Sequence, residues 1–188
     1  MQTEIILSGF GGQGALFAGS VLAQAAMNGG LNVTWIPSYG PEMRGGTAHV
    51  TVIISDEVIG SPLVRHPDAV IVLNNPSVEK YEPLVKAGGI LVYNSSLISN
   101  PPGRADLHII AVPASDIATE LGDIKVANMV MLGTLIAATG VLPLTEVVQA
   151  VGAHLLDSKG ELAVLNEQAL RRGAQIVDFL LLTYDNRQ

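Results

Sequence analysis

The glycines at positions 9, 11, 12 and 14 constrain the start of this chain more than any other feature. They follow the apolar run Ile5-Ile6-Leu7, and a helix-compatible stretch opens directly after them at Ala15. Strand, glycine turn and helix N-terminus in that order build a corner whose backbone can approach a ligand closely, with unpaired helix N–H groups aimed at negative charge. The segment Gly9-Phe10-Gly11-Gly12-Gln13-Gly14 also satisfies the loose G-x-G-x-x-G template for dinucleotide binding. That template expects an acidic residue closing the second strand, where it holds a ribose hydroxyl. Here the chain reads Ile36-Pro37-Ser38-Tyr39, and the next carboxylate is Glu42. The corner therefore reads as an anion or diphosphate site, or as a tight turn without a ligand, and a nicotinamide dinucleotide is disfavoured.

The rest of the chain alternates strands and helices. Thr3 to Ser8 reads as a buried strand, Ala15 to Met27 as a helix stopped by Gly29-Gly30, and Asn32 to Pro37 as a second strand. These make a β-α-β unit. Thr47 to Ile54 reads as a strand half exposed at one end, turning at Ser55-Asp56-Glu57 toward Val58-Ile59, which interrupts the simple alternation. Ala69 to Leu73 is a strand, Asn75 is placed to cap a helix with Pro76 at its first position, and Gly88-Gly89 to end it. Ile90 to Tyr93 and Leu107 to Val112 are further strands, separated by the loop Asn100-Pro101-Pro102-Gly103. From Ser115 onward the pattern is helical, with Thr145 as a cap and Ser158-Lys159-Gly160-Glu161 as a capping box. The last helix is expected to bury a stripe through Leu162, Leu165, Ala169, Ile176 and Leu180. Together these predict one α/β domain over residues 1–188. It is three-layer α/β/α, with a mostly parallel, Rossmann-like sheet, a strand insertion after the second strand and a helical C-terminal tail.

Composition narrows the function classes. Hydrophobic residues make up 48% of the 188 and charged ones only 14%, against about 25% charged in ordinary soluble domains. So little charge implies either a very compact chain or, the favoured reading, apolar surface buried against another polypeptide, in which case the isolated chain is expected to self-associate. The net charge of −7 argues against a nucleic-acid partner, which would need clustered Lys and Arg. Val126 to Thr145 is free of charge, but Asn128, Gly133, Thr134, Thr139, Gly140 and Pro143 interrupt it. A buried helix followed by a turn is expected there, with no membrane span. The N-terminus has neither a basic nor an apolar leader segment, so a cytoplasmic location is expected. There is no cysteine, which removes thiolate catalysis and clusters ligated by Cys thiolates.

In an open α/β sheet, ligands collect outside the carboxyl ends of the strands. The second loop delivered there reads Ser38-Tyr39-Gly40-Pro41-Glu42-Met43-Arg44-Gly45-Gly46. It crowds a hydroxyl, a phenol, a carboxylate and a guanidinium among backbone-permissive residues, more chemistry than a connector needs. A solvated loop with a local Glu42–Arg44 pair stands against a ligand or subunit contact.

These two loops carry a resemblance. Gly-Phe-Gly-Gly-Gln-Gly followed by Ser-Tyr-Gly-Pro-Glu-Met-Arg-Gly-Gly resembles the gamma subunit, or gamma domain, of the thiamine-dependent 2-oxoacid:ferredoxin oxidoreductases. That family includes pyruvate, 2-oxoglutarate, branched-chain 2-oxoacid and indolepyruvate enzymes. The resemblance covers nearly the whole chain, including Asn128, Leu132-Gly133, Asn166 and Gly173. It implies a complex using thiamine diphosphate, Mg2+, iron–sulfur clusters and coenzyme A. In that complex, alpha, beta and delta subunits are the partners and ferredoxin is met indirectly. This chain carries no Gly-Asp-Gly thiamine motif, since Gly122-Asp123 is followed by Ile124. The implied role is therefore non-catalytic: docking on the other subunits and helping to form the coenzyme A side of the active site. Gly9, Gly11, Gly12, Gln13 and Gly14, with Ser38, Tyr39, Glu42 and Arg44, are the ligand-binding candidates, and no catalytic or metal-ligating residue is assigned. The alternatives are a free-standing dinucleotide-dependent oxidoreductase and a ligand-free scaffold.

Other residues read as structural. His49, His66, His108 and His154 lack metal-ligand spacing. Asp56-Glu57, Glu79 and Glu82 read as solvated charges, Met129 and Met131 as core or interface fillers, and Ser95-Ser96 and Ser115 as turn and cap residues.

Overall fold

The computed structural model describes residues 1–39, 47–155 and 160–185. Its six strands are β1 (Gln2–Phe10), β2 (Asn32–Tyr39), β3 (Thr47–Ser55), β4 (Ala69–Val72), β5 (Ile90–Asn94) and β6 (His108–Val112). They form one sheet in the order β2-β3-β1-β4-β5-β6. β1, β4, β5 and β6 pair in parallel, while β3 is antiparallel to both β1 and β2. The opening β-α-β unit is thus present with a difference. β1 and β2 run the same way but are not neighbours, because β3 folds back between them. Nine-residue β3 consequently has a partner on each side along its length, which explains why Val50, Val52, Ile53 and Ile54 are buried. The run that follows, Val58-Ile59, is not a strand, and Val58 is exposed.

Among the described residues there are six α-helices: α1 (Ala15–Asn28), α2 (Asn75–Tyr81), α3 (Ala114–Leu121), α4 (Ala127–Thr139), α5 (Leu144–His154) and α6 (Gly160–Asp185). α1 stops as its glycines dictate, with Gly29 donating to the Ala25 carbonyl and Gly30 taking φ +78. The helices are distributed unevenly. One sheet face packs Ile5, Leu7, Val50, Val52, Ile71 and Val92 against α1 and α4, with α3, α5 and α6 joining the same core. The other packs Ile6, Val70, Val72 and Leu91 against α2 alone, through Val78 and Tyr81. The reason is the β5–β6 connection, which is an irregular loop where a helix would complete the layer.

Several boundaries differ from the sequence expectation. Asn74, not Asn75, caps α2, its side-chain oxygen accepting from the Ser77 N–H at 2.9 Å. The α-helix ends at Tyr81, well before Gly88-Gly89, because Pro83 lacks an N–H and converts Glu82–Leu84 to a 3₁₀ turn. α5 begins at Leu144 with Pro143 in the cap position and no side-chain cap, so Thr145 lies inside the helix. Of the proposed capping box, Ser158 and Lys159 lie outside the described residues.

α4 is the buried, uncharged helix expected from Val126 onward. Met129 and Met131 have no exposed surface, and every residue from Asn128 to Ile136 is buried. Among the described residues, no helix is long and apolar enough to cross a membrane. α6 meets α4 through a stripe that keeps most of the expected one: Ala169 is buried and Leu165 and Ile176 pack against the core, with Asn166, Leu170, Gly173, Ala174 and Val177 also buried, whereas Leu162 is 36% exposed and the side chain of Leu180 lies outside the described residues. Glycines on both helices allow the close approach. A Cβ on Gly133 would lie 2.8 Å from the Leu170 carbonyl carbon, and one on Gly173 would lie 2.8 Å from that of Val130. Two glycines, invisible to a hydrophobic pattern, set the helix crossing.

Candidate functional site

β1, β4, β5 and β6 point the same way, and their carboxyl ends define one edge of the sheet; β2, also parallel to β1, ends there too. The glycine corner leaves β1 at this edge. Phe10 and Gln13 close a turn, the Gln13 N–H donating to the Phe10 carbonyl at 3.1 Å. Gly11 and Gly12 form its exposed tip. Gly12 has φ +98 with open space where a side chain would project, so its requirement is conformational and not steric. Gly14 at the cap of α1 has φ +77, and a Cβ there would collide with the Asn128 carboxamide. No side chain caps α1 and no acid occupies its first turn. Among the described residues its N-terminal N–H groups thus have no side-chain partner, and the positive end of a helix dipole favours negative charge nearby.

The loop is held by carboxamides. Gln13 accepts from the Phe10 N–H at 2.7 Å and from the Asn74 side chain at 3.1 Å, and donates to the Leu73 carbonyl at 3.2 Å. Asn128, at the start of α4, donates to the Gly14 carbonyl at 3.0 Å. Gly9 is buried under this lattice, where a Cβ would lie 2.8 Å from the Gln13 oxygen and 3.0 Å from Leu73. Gln13 thus faces inward to the protein as a brace. The corner presents Gly11 and Gly12 outward, while Ala15 at the start of α1 is buried behind them.

Ser38 and Tyr39 end β2 at the same edge, Ser38 in register with His49 and Tyr39 with Ala48. Gly40 to Gly46, including Glu42 and Arg44, lie outside the described residues. The two ends of that segment are fixed, however: Tyr39 pairs with Ala48, which pairs with Gly9, and Thr47 pairs with Phe10. The chain leaves and re-enters the sheet beside the glycine corner. The same register weighs against a dinucleotide site. With β3 interposed, the end of β2 stands two strand spacings, about 10 Å, from β1, and any group there acting on a ribose would have to reach across β3.

His49 is half-buried beside the Tyr81 ring, their centroids 5.5 Å apart. Burial, reinforced by Lys80, pushes its imidazole below the ordinary value of 6.5. His66 and His154 face the Leu84 and Ala150 carbonyls, and His108 is exposed at the start of β6. Among the described residues no three His, Asp or Glu side chains are grouped as metal ligands.

Sequence reasoning missed most of the bracing. Asn74 was not singled out. Asn94, 1% exposed, donates to Ser115 at 2.9 Å, and Ser96 accepts from the Asp116 N–H in the first turn of α3. Glu82 is not the solvated charge expected: it accepts from the Gly103 and Arg104 N–H groups at 2.6 and 2.8 Å, pinning the β5–β6 loop. Only polar residues at element ends signalled these contacts, and each partner is distant in sequence.

The comparisons with known proteins bear on the family and the fold. The family model for pyruvate ferredoxin/flavodoxin oxidoreductase matches residues 4–176. The chain is 43% identical over 136 residues to the ketoisovalerate oxidoreductase subunit VorA of Methanothermobacter thermautotrophicus, a match covering 72% of this chain and only 28% of that relative's length. It is 38% identical over 158 residues to the 2-oxoglutarate synthase subunit KorC of Methanothermobacter marburgensis, covering 80% of this chain and 85% of that subunit. The crystal structure of a keto/oxoacid ferredoxin oxidoreductase gamma subunit from Geobacter sulfurreducens superimposes with a TM-score of 0.79 at 34% identity, covering 93% of this chain and 97% of that one. Sharing the fold of a gamma subunit and matched by the family model over most of its length, the chain belongs to the pyruvate ferredoxin/flavodoxin oxidoreductase family.

Proposed function

We propose that this chain is the gamma subunit of a thiamine-diphosphate-dependent 2-oxoacid:ferredoxin oxidoreductase, and that its glycine corner forms part of the coenzyme A side of the active site. One observation carries the second half. An uncapped helix N-terminus, with no acid in its first turn, lies behind an exposed glycine tip at the edge where α/β sheets receive ligands. A diphosphate is the part of coenzyme A that suits such a corner. Tyr39, which ends β2, and Arg44, from the sequence between β2 and β3, are its proposed companions, together with Ser38 and Glu42.

The residues present do not fit the other cofactors of the complex. Without cysteine the chain offers no thiolate for a cluster. The Gly122-Asp123 pair is used locally: Gly122 takes φ +111 at the end of α3, and Asp123 accepts from the Lys125 N–H at 2.9 Å. Thiamine diphosphate, Mg2+ and the clusters accordingly belong to alpha, beta and delta partners in this proposal, and ferredoxin is reached through them. The sparse charge, and side chains as exposed as Val58 (87%) and Leu63 (76%), support burial against such partners.

The test is co-expression with candidate alpha, beta and delta subunits and measurement of coenzyme A-dependent viologen reduction. Arg44→Ala is expected to lower kcat/KM for coenzyme A about tenfold to a hundredfold, as loss of a charge-assisted phosphate contact would, leaving KM for the oxoacid unchanged. Arg44→Lys should recover part of the loss, and Glu42→Ala should not mimic it. A complex in which Arg44→Ala assembles and uses coenzyme A like wild type would leave the corner a docking surface only. Full activity without this chain would overturn the subunit role.

A further inference from the structure

The geometry points to Asn74 as a positioning residue that sets the shape of the glycine loop from the opposite side of β1. Its effect on turnover rests on the coenzyme reading above; its effect on the loop does not. Asn74 is 3% exposed and divides its carboxamide between two elements. Its oxygen accepts from the Ser77 N–H at 2.9 Å, capping α2, and its nitrogen donates to the Gln13 oxygen at 3.1 Å.

Neither amide is free to turn over. A backbone N–H can only donate, so the oxygen of Asn74 must face Ser77 and that of Gln13 must face Phe10. A backbone carbonyl can only accept, so the Gln13 nitrogen must face Leu73. Each orientation is dictated by the main chain, and the Asn74–Gln13 bond is the contact left between them. Through it the N-terminus of α2 fixes the Gln13 carboxamide. Gln13 in turn closes the Phe10–Gln13 turn with two hydrogen bonds, its own N–H to the Phe10 carbonyl and its side-chain oxygen from the Phe10 N–H. Gly11 and Gly12 are held between those bonds. Buried polar links of this kind specify a conformation because their alternative is an unsatisfied group.

Two substitutions separate this role from capping. Asn74→Ser keeps a good N-cap but is too short to reach Gln13. Asn74→Asp keeps the cap and sets an oxygen against the Gln13 oxygen. Amide hydrogen exchange of the full chain is the readout, followed by coenzyme A kinetics of the assembled complex. In wild type, the Phe10 and Ser77 amides should show comparable protection. In both variants, exchange at Phe10 should accelerate tenfold or more, while α4 exchanges as before. KM for coenzyme A should rise about fivefold or more, with the oxoacid KM unchanged. Faster exchange with unaltered coenzyme kinetics would keep Asn74 as the loop's brace and discard the coenzyme reading. An unprotected Phe10 amide in wild type, or unchanged exchange in the variants, would overturn the inference whatever the kinetics. If neither variant folds, an unprotected Phe10 amide in wild type still overturns the inference.

Discussion

Replacing Gly173 by Ala should destabilise the protein, although it improves helix propensity. In an exposed helix the exchange is favourable by about 1 kcal/mol. At Gly173 the new Cβ would stand 2.8 Å from the Val130 carbonyl carbon and 3.0 Å from the Thr134 nitrogen, where carbon atoms ordinarily settle at about 3.5–4.0 Å. Both obstacles are backbone, so no side-chain rotation relieves them and α6 must move off α4 by about 1 Å. That motion loosens the packing of Ala169, Leu170 and Ala174, all buried, at about 1–3 kcal/mol. It also stretches the bond from the Thr134 hydroxyl to the Gly173 carbonyl, 2.9 Å long and buried, at about 1 kcal/mol. Subtracting the propensity gain leaves about 1–3 kcal/mol of net destabilisation. For a chain of this length that lowers Tm by roughly 2–12 °C. Gly133→Ala, facing the Leu170 carbonyl, should behave alike. Gly152→Ala, in α5 with nothing within 4 Å of the new Cβ, should raise Tm by a few degrees, about 1 kcal/mol. Urea and thermal unfolding followed by circular dichroism measure all three. If Gly173→Ala and Gly133→Ala stabilise like Gly152→Ala, the close crossing of α4 and α6 is refuted.

Gly12→Val meets no atom but must adopt φ +98, and should cost about 1–2 kcal/mol. Gly60→Val, equally open and without positive φ, should be near neutral, and equal urea midpoints for the two would remove the conformational demand at the corner. His49 gives a pH dependence whose sign is fixed. Its folded pKa is depressed by burial and by Lys80, so below pH 6.5 the unfolded chain binds a proton that the folded chain refuses, and stability falls as pH drops through that window. His49→Gln should flatten this part of the urea-midpoint profile between pH 7.5 and 5.5; an unchanged slope would show that His49 titrates alike in both states.

The strands and the glycine corner were legible because their causes are local. Ile5-Ile6-Leu7 ahead of Gly9 announces strand and turn without knowledge of anything distant, and Gly29-Gly30 stops α1 by backbone conformation alone. Strand order was not legible in that way. That Thr47–Ser55 inserts between β1 and β2 depends on which edges find each other, and the interrupted alternation after Pro37 was its only trace. Asn74 was overlooked for Asn75 because both precede Pro76, and only the Ser77 contact distinguishes them. The buried face of α6 was legible at Leu165, Ala169 and Ile176 but incomplete, because Gly173 and Asn166 carry no hydrophobic weight, yet one permits the helices to touch and the other is 4% exposed. Within the candidate site, the glycines were readable from spacing. The carboxamide bracing from Asn74 and Asn128 spans 61 and 114 residues of sequence and follows only from the fold.

The interposed β3 also sets an order of assembly. β1 leaves the ribosome first but has no neighbour to pair with until β3 or β4 follows it, since β2 never touches it. β2 and β3 are consecutive and pair along eight register positions from Tyr39↔Ala48 to Asn32↔Ser55, so their hairpin forms from local contacts, on the scale of microseconds. Its inner strand also pairs with β1, Thr47 opposite Phe10 and Ala48 opposite Gly9, a contact of longer sequence separation that is expected to form after the hairpin. Tyr39 and Ala48 are thus already paired when Ala48 meets Gly9 at the corner.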